Sequence, residues 1–204
     1  MNNLNELILT TKLKNQLNMF VTEPNTIPRY TLLYGEPGTG KTSFAKFFAK
    51  KSSNEYFYFA CNEGLGKNQL ANIESILRTR SLLNQSDCEI DKVIVIDEFH
   101  NASKKEQERF KTLYDDLDDT VKLIFILNTN SSSKGYKTLP DILSTAMISR
   151  CYSLCFDISL DEVNEVVNAS KKVYENLDEE TIYRYLPDHR VLERMNGMAQ
   201  FNSV

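Results

Sequence analysis

The stretch Gly35-Glu36-Pro37-Gly38-Thr39-Gly40-Lys41-Thr42 constrains this chain more than any other. It reads as a glycine, four residues, then Gly-Lys-Thr, with Ser43 following. Gly35, Gly38 and Gly40 let the backbone take turns that a side chain would block, so successive N–H groups can point inward at an anion. Lys41 supplies a positive charge for the terminal phosphates of ATP, and Thr42 a hydroxyl for Mg²⁺. The apolar run Tyr30 to Tyr34 ahead of the loop reads as a buried strand. Ser43 to Lys51 behind it reads as a helix, whose N-terminal dipole favours an anion. Strand, loop and helix in that order is the context the pattern needs, so Gly35 through Ser43 are expected to hold the phosphates of ATP.

The rest of the chain alternates in the same way. Tyr30 to Tyr34, Glu55 to Ala60, Lys92 to Ile96, Val121 to Leu127 and Arg150 to Phe156 read as strands. Helical patterns at Asn68 to Arg80, Ser103 to Leu117 and Asp141 to Ile148 lie between them. The β-branched run Val93 to Ile96 suits a strand buried on both faces. This implies a three-layer α/β domain with a mainly parallel five-stranded sheet. Ahead of it, apolar spacing from Leu4 to Phe20 breaks near Thr10-Thr11, where a helix begins. Ser103 with Glu106, and Ser159 with Glu162, have capping-box spacing. From Ser159 three helical patterns run to Gln200 with no strand between, and Pro187 suits the first turn of the last. The expected division is residues 1–157 as a nucleotide-binding α/β domain and 158–204 as a small helical lid.

A hydrophobic fraction of 41% and a charged fraction of 25% are those of a globular protein. A net charge of −4 argues against broad electrostatic coating of nucleic acid, though not against a local basic patch. Met1 to Leu9 lacks a signal-peptide pattern, and apolar runs such as Leu123 to Leu127 are too short for a bilayer. Cys61, Cys88, Cys151 and Cys155 match no zinc module, which suits reduced thiols and a cytoplasmic location. Cys151 and Cys155 share a strand face and are expected in the core.

A second motif complements the loop. The strand Lys92 to Ile96 ends in Asp97-Glu98. On a strand beside that of the phosphate loop, Asp97 is placed to hold Mg²⁺ through its water shell. Glu98 is placed to polarise a water for attack on the γ-phosphate. Hydrolysis of ATP follows from the two motifs together; what it drives does not.

Ile148-Ser149-Arg150-Cys151, with the strand that follows, resembles the Ser-Arg-Cys element of clamp-loader AAA+ ATPases, and KVIVIDEF is similar to the matching strand of phage clamp-loader subunits. The resemblance runs from about Leu4 to Met198. It implies a P-loop AAA+ domain in a homo- or hetero-oligomer of AAA+ subunits, with Arg150 reaching into the neighbour's nucleotide site. Leu127-Asn128-Thr129-Asn130 resembles the sensor 1 segment, Asn130 matching best by register and Asn128 second. Leu186-Pro187-Asp188-His189-Arg190 resembles the sensor 2 element, with Arg190 contacting the γ-phosphate in cis. The implied role is an ATP-hydrolysing subunit of a DNA-replication assembly that loads a partner, a sliding clamp or a helicase, onto DNA. A helicase loader or transposition-type AAA+ regulator would carry the same chemistry. So would a nucleotide-gated scaffold subunit of a heteromeric ring, although intact Lys41, Asp97 and Glu98 argue against a non-catalytic role. Two departures stand out: the family's helical collar domain is not found before Val204, and the N-terminal segment is short. The second leaves Leu9 and Pro28 as candidates for the adenine pocket.

The resemblance also implies DNA contacts at Gly64 to Gln69, with Lys67, and at Ser103 to Lys105, with Lys104 and Lys105. Backbone N–H groups at a helix start beside a lysine suit phosphates without base specificity. His100 is expected to face solvent near the site and His189 to serve the lid.

Overall fold

The computed structural model describes residues 4–79, 90–131, 135–136 and 138–202. Five parallel strands form one sheet: β1 (Tyr30–Gly35), β2 (Ser53–Ala60), β3 (Ile90–Asp97), β4 (Val121–Asn128) and β7 (Tyr152–Cys155), in the order β2-β3-β4-β1-β7. Alternate residues of the central strands go to opposite faces, as the two-residue strand period requires. Leu33, Val93, Val95, Ile124 and Ile126 pack on Leu13, Leu17 and Phe20 of α1 (Thr11–Thr22) and on Phe44 and Phe48 of α2 (Lys41–Ser52). Leu32, Ile94, Ile96, Leu123, Phe125 and Leu127 pack on the other side. There they meet Ile73 of α3 (Gly66–Arg78) and Phe110 of α4 (Lys104–Tyr114). This is the expected three-layer α/β architecture.

The order of strands corrects one expectation. β3 does not lie beside β1; β4 lies between them, with Gly35 opposite Asn128 and Ile96 opposite Phe125. The chain therefore runs outward from β1 to the β2 edge and returns through β3 and β4. As a result, the carboxyl ends of β1, β4 and β3 stand side by side, where open α/β sheets bind ligands.

Other boundaries moved for local reasons. The expected helix at Asp141 to Ile148 is two single turns, α5 (Leu139–Ile142) and α6 (Thr145–Ile148), because Ser144 in extended conformation caps the second, its hydroxyl accepting from Met147 N–H. The polar loop after β4 holds a short antiparallel pair, β5 (Asn130–Ser131) and β6 (Gly135–Tyr136). Arg150 sits in the turn before β7 rather than in the strand. Cys155 is exposed, contrary to its expected place in the core. Both capping boxes, Ser103–Glu106 and Ser159–Glu162, are formed.

Beyond β7 come α7 (Val163–Lys171), α8 (Glu179–Tyr185) and α9 (His189–Asn202), with no strand among them. Pro187, joined to Leu186 by a cis peptide bond, lies ahead of α9 and not in its first turn. Val166, Val167, Tyr174, Ile182 and Leu192 form their own apolar cluster, and Ile8 from the N-terminal segment joins it. The segment before α1 thus binds the C-terminal helices to the sheet. Among the described residues no helix is long and apolar enough to cross a membrane.

Candidate nucleotide site

A cavity of about 220 Å³ opens at the carboxyl edge of the sheet. Gly38 to Ser43 form its floor, Asp97, Glu98 and Asn128 one wall, and Arg190 part of the roof. The loop adopts the conformation its glycines permit, with φ of +85° at Gly38 and +92° at Gly40. Lys41 is buried, and its Nζ donates to Gly35 O at 2.9 Å, Glu36 O at 2.5 Å and Thr39 Oγ1 at 3.2 Å. Burial pushes its pKa down to about 8 against the pull of Asp157, Asp97 and Glu98. A phosphate would restore the charge that burial disfavours and replace the loop carbonyls as partner. Asp157 also accepts from Glu36 N–H at 2.6 Å, which ties the loop to the chain leaving β7.

Asp97, the buried last residue of β3, receives Thr42 Oγ1–H on Oδ2 at 2.8 Å and Glu98 N–H on Oδ1 at 2.8 Å. The Thr42 proton points at the carboxylate, which leaves the lone pairs of its oxygen for a cation. A hydroxyl and a carboxylate are the hard oxygen donors that Mg²⁺ takes, with phosphate and water completing its shell. Thr42 and Asp97 therefore fit the ion the sequence implies.

Glu98 has a left-handed backbone (φ +57°), which turns its side chain out of the strand line. Its carboxylate meets Asn128 Nδ2, 3.4 Å from each oxygen, and His100 Nε2 at 3.2 Å. His100 Nδ1 accepts from Asn128 N–H at 3.4 Å, so the ring closes a small network rather than simply facing solvent. Asn128, the second sequence candidate, is the one the structure brings to Glu98. The first, Asn130, opens β5, and its side chain lies outside the described residues.

The opposite end of the cavity is where sequence reasoning was weakest. Leu7, Ile8, Tyr174 and His189 line it, with the carboxylates of Glu6 and Glu193. Leu9 faces a smaller adjoining cavity, and Pro28 lines neither. The apolar doublet Leu7-Ile8 was visible in sequence; its position was not, because Ile8 reaches the site by packing on the last helices. His189 stacks on Tyr174 with ring centroids 6.2 Å apart, and burial, opposed by Asp188 and a hydrogen bond with the Ile8 backbone, holds its pKa below the usual value. Arg190 is mostly exposed, with Nε 3.7 Å from Asp188 Oδ1.

Arg150 is absent from the cavity lining. Its guanidinium lies over Tyr114 at 5.9 Å, Nη1 donates to Ala146 O at 3.1 Å, and Nε is buried with no hydrogen-bond partner among the described residues. The two segments expected to meet DNA are held together by Glu106, which accepts Leu65 N–H on Oε1 at 2.9 Å and Ser103 N–H on Oε2 at 2.6 Å.

What converges at this sheet edge is the machinery of a P-loop ATPase. The sequence signature of the ATPase family associated with various cellular activities (AAA) matches residues 31–156, and the chain belongs to that family. The Holliday junction branch migration complex subunit RuvB of Mycoplasmopsis synoviae (strain 53) is 30% identical over 113 residues, 55% of this chain and 31% of that protein. The ATP-dependent zinc metalloprotease FtsH 3 of Petrotoga mobilis (strain DSM 10674 / SJ95) is 28% identical over 136 residues, 60% of this chain and 19% of that protein. This chain thus spans less than a third of the length of either relative. The solved structure of the Thermotoga maritima RuvB Holliday junction branch migration motor has the same fold. It gives a TM-score of 0.55 at 19% identity, over 90% of this chain and 57% of that chain.

Proposed function

We propose that this chain is a Mg·ATP-hydrolysing subunit of an oligomer that works on DNA, with nucleotide sites completed between subunits. The reading rests on one observation above all: Lys41 and Arg190 line the cavity of their own chain and Arg150 does not. Its Ser149-Arg150-Cys151 context resembles that of an arginine that serves a neighbour's nucleotide, and its guanidinium lies over Tyr114, outside its own cavity. Phosphate binds between loop and lid, residues 158–204 acting as the lid. Lys41 and Arg190 meet the terminal phosphates, and Thr42 and Asp97 hold the Mg²⁺, which neutralises phosphate charge. Asn128 steadies Glu98, which orients the attacking water. Arg150 of the next subunit adds the remaining charge, a contribution of roughly 10³–10⁵ in rate where such arginines act.

Among DNA tasks we favour clamp-loader-like loading of a protein partner, on the strength of the Ser149-Arg150-Cys151 element and the paired starts of α3 and α4 with Lys67, Lys104 and Lys105. A second reading, a ring motor on branched DNA, is favoured by the similarity to RuvB.

Mixing two inactive variants tests the shared site. Glu98→Gln lacks the base but offers Arg150; Arg150→Ala lacks the arginine but keeps the base. Recovery of ATPase activity on mixing is the expected result, and no recovery in a mixed oligomer would place Arg150 outside the reaction. Stimulation by a sliding clamp on primed DNA, against movement of a four-way junction, separates the two DNA tasks.

A further inference from the structure

Asp97 Oδ2 accepts a second hydrogen bond that neither the phosphate-loop pattern nor the Asp-Glu pair calls for. Tyr58 of β2 donates to it from Oη at 2.8 Å, on the same oxygen that receives Thr42. Three elements place that phenol. Strand β2 carries it opposite Val95 of β3, and Lys46 of α2 sets its Nζ 4.1 Å from the ring centroid. The carboxylate at the end of β3 takes the hydroxyl. The ring is 38% exposed, so filling the core is not what it does there. An ionised carboxylate can only accept, so the phenol is the donor.

With Thr42 and Tyr58 on one oxygen and the Glu98 amide on the other, Asp97 cannot rotate without losing a hydrogen bond. Groups that orient a metal ligand from behind in this way typically change metal affinity by about 10–100-fold when removed. A hydroxyl that only stabilised the fold would leave metal affinity alone.

We infer that Tyr58 is a positioning residue for magnesium: braced by β2 and Lys46, its hydroxyl fixes Asp97 so that this carboxylate and Thr42 face the cation together. The inference rests on the reading of Asp97 and Thr42 as the Mg²⁺-binding residues. The site then has a fixed outer wall on β2, at the sheet edge, as well as the loop.

The test is a Mg²⁺ titration of nucleotide binding, read with a non-hydrolysable ATP analogue by calorimetry, against binding of the same analogue in EDTA. Tyr58→Phe removes one oxygen atom; the Mg²⁺ concentration for half-saturation is expected to rise ~10-fold. Affinity in EDTA and the melting temperature should stay at wild-type values. Asp97→Asn, measured in parallel, should raise the Mg²⁺ requirement further. An unchanged requirement in Tyr58→Phe, with a raised one in Asp97→Asn, overturns the role of Tyr58 and leaves that of Asp97. No change in either variant overturns both. A lower requirement in Tyr58→Phe, or equal loss with and without Mg²⁺, also overturns the inference, the first because the phenol would be a competitor and the second because it would be structural. Should Tyr58→Phe not fold, Lys46→Met frees the ring while keeping the hydroxyl; a raised Mg²⁺ requirement supports the inference and an unchanged one overturns it.

Discussion

Asp188 stands so close to Gly38 that a Cβ on the glycine would lie 2.2 Å from Asp188 Oδ1 and 2.8 Å from its Cα. The middle of the phosphate loop and the residue before α9 therefore meet almost backbone to backbone. A side chain at Gly38 would be strained twice, by this contact and by its φ of +85°. Gly38→Ala is expected to add roughly 1–2 kcal/mol of backbone strain. It should also weaken ATP-analogue binding at least ~10-fold by pushing Asp188 and the start of α9 away from the loop, since ~1.4 kcal/mol is a factor of ten. Adding Asp188→Ala should restore only part of the affinity, because the clash with Cα remains. Calorimetric dissociation constants for the three variants check this.

Stability should also respond to pH through His189. Its ring bridges Tyr174 and the Ile8 backbone, and the fold holds its pKa below 6.5. Below that value the unfolded chain takes up a proton that the folded chain resists. Stability from this residue is therefore present at neutral pH and lost as pH falls. Melting temperature is expected to hold above about pH 6.5, the unfolded-chain value, and to drop as pH falls below it toward the lower folded value. His189→Gln should flatten that part of the profile while lowering the plateau. An unchanged slope would show that other groups carry the acid sensitivity.

The chemistry written in consecutive residues was legible in advance; the chemistry assembled across strands was not. Gly35 to Thr42 and Asp97-Glu98 each carry their function locally, and their strand and helix flanks are set by simple periodicity. The adjacency of β4 to both β1 and β3 depends on crossover connections, which leave no periodic trace. That adjacency brings Asn128 to Glu98: β4 extends through Asn128, opposite Gly35. Tyr58 was hidden for another reason, since an aromatic residue in an aromatic-rich strand reads as ordinary core. Leu7 and Ile8 were visible as apolar residues, but Ile8 reaches the cavity only once α7 and α9 are packed, and Leu7 by packing against the cluster of α1 and α2.

Asn128 and Asn130 can be separated by kinetics. Asn128 Nδ2 faces both carboxylate oxygens of Glu98, so its loss should misplace the base without touching nucleotide affinity. Asn128→Ala is expected to lower kcat by about 10²-fold, the lower end of what a preorganised polar group supplies, with the dissociation constant of ATP unchanged. Asn130→Ala should lower kcat less. The reverse ranking would return the role to Asn130.

Glu106 offers a test of the DNA reading that pure electrostatics would answer the other way. One carboxylate holds the Leu65 amide before α3 and the Ser103 amide before α4, so its geometry sets the spacing of two helix starts. It is also a negative charge near Lys67, Lys104 and Lys105. If DNA phosphates only sense net charge there, Glu106→Ala should tighten duplex binding. If the two helix starts must be held in register, the same variant should weaken binding despite the lost repulsion. Weakening is expected, together with a loss of about 1 kcal/mol in stability from the broken cap. The lysines should behave differently: Lys67→Ala or Lys104→Ala removes a cation, and each is expected to reduce the slope of log K against log salt by about 1 if it neutralises one phosphate. Glu106→Ala should leave that slope in place, because it removes none of the contacting cations. Duplex titrations at several salt concentrations therefore distinguish a residue that positions the surface from residues that form it.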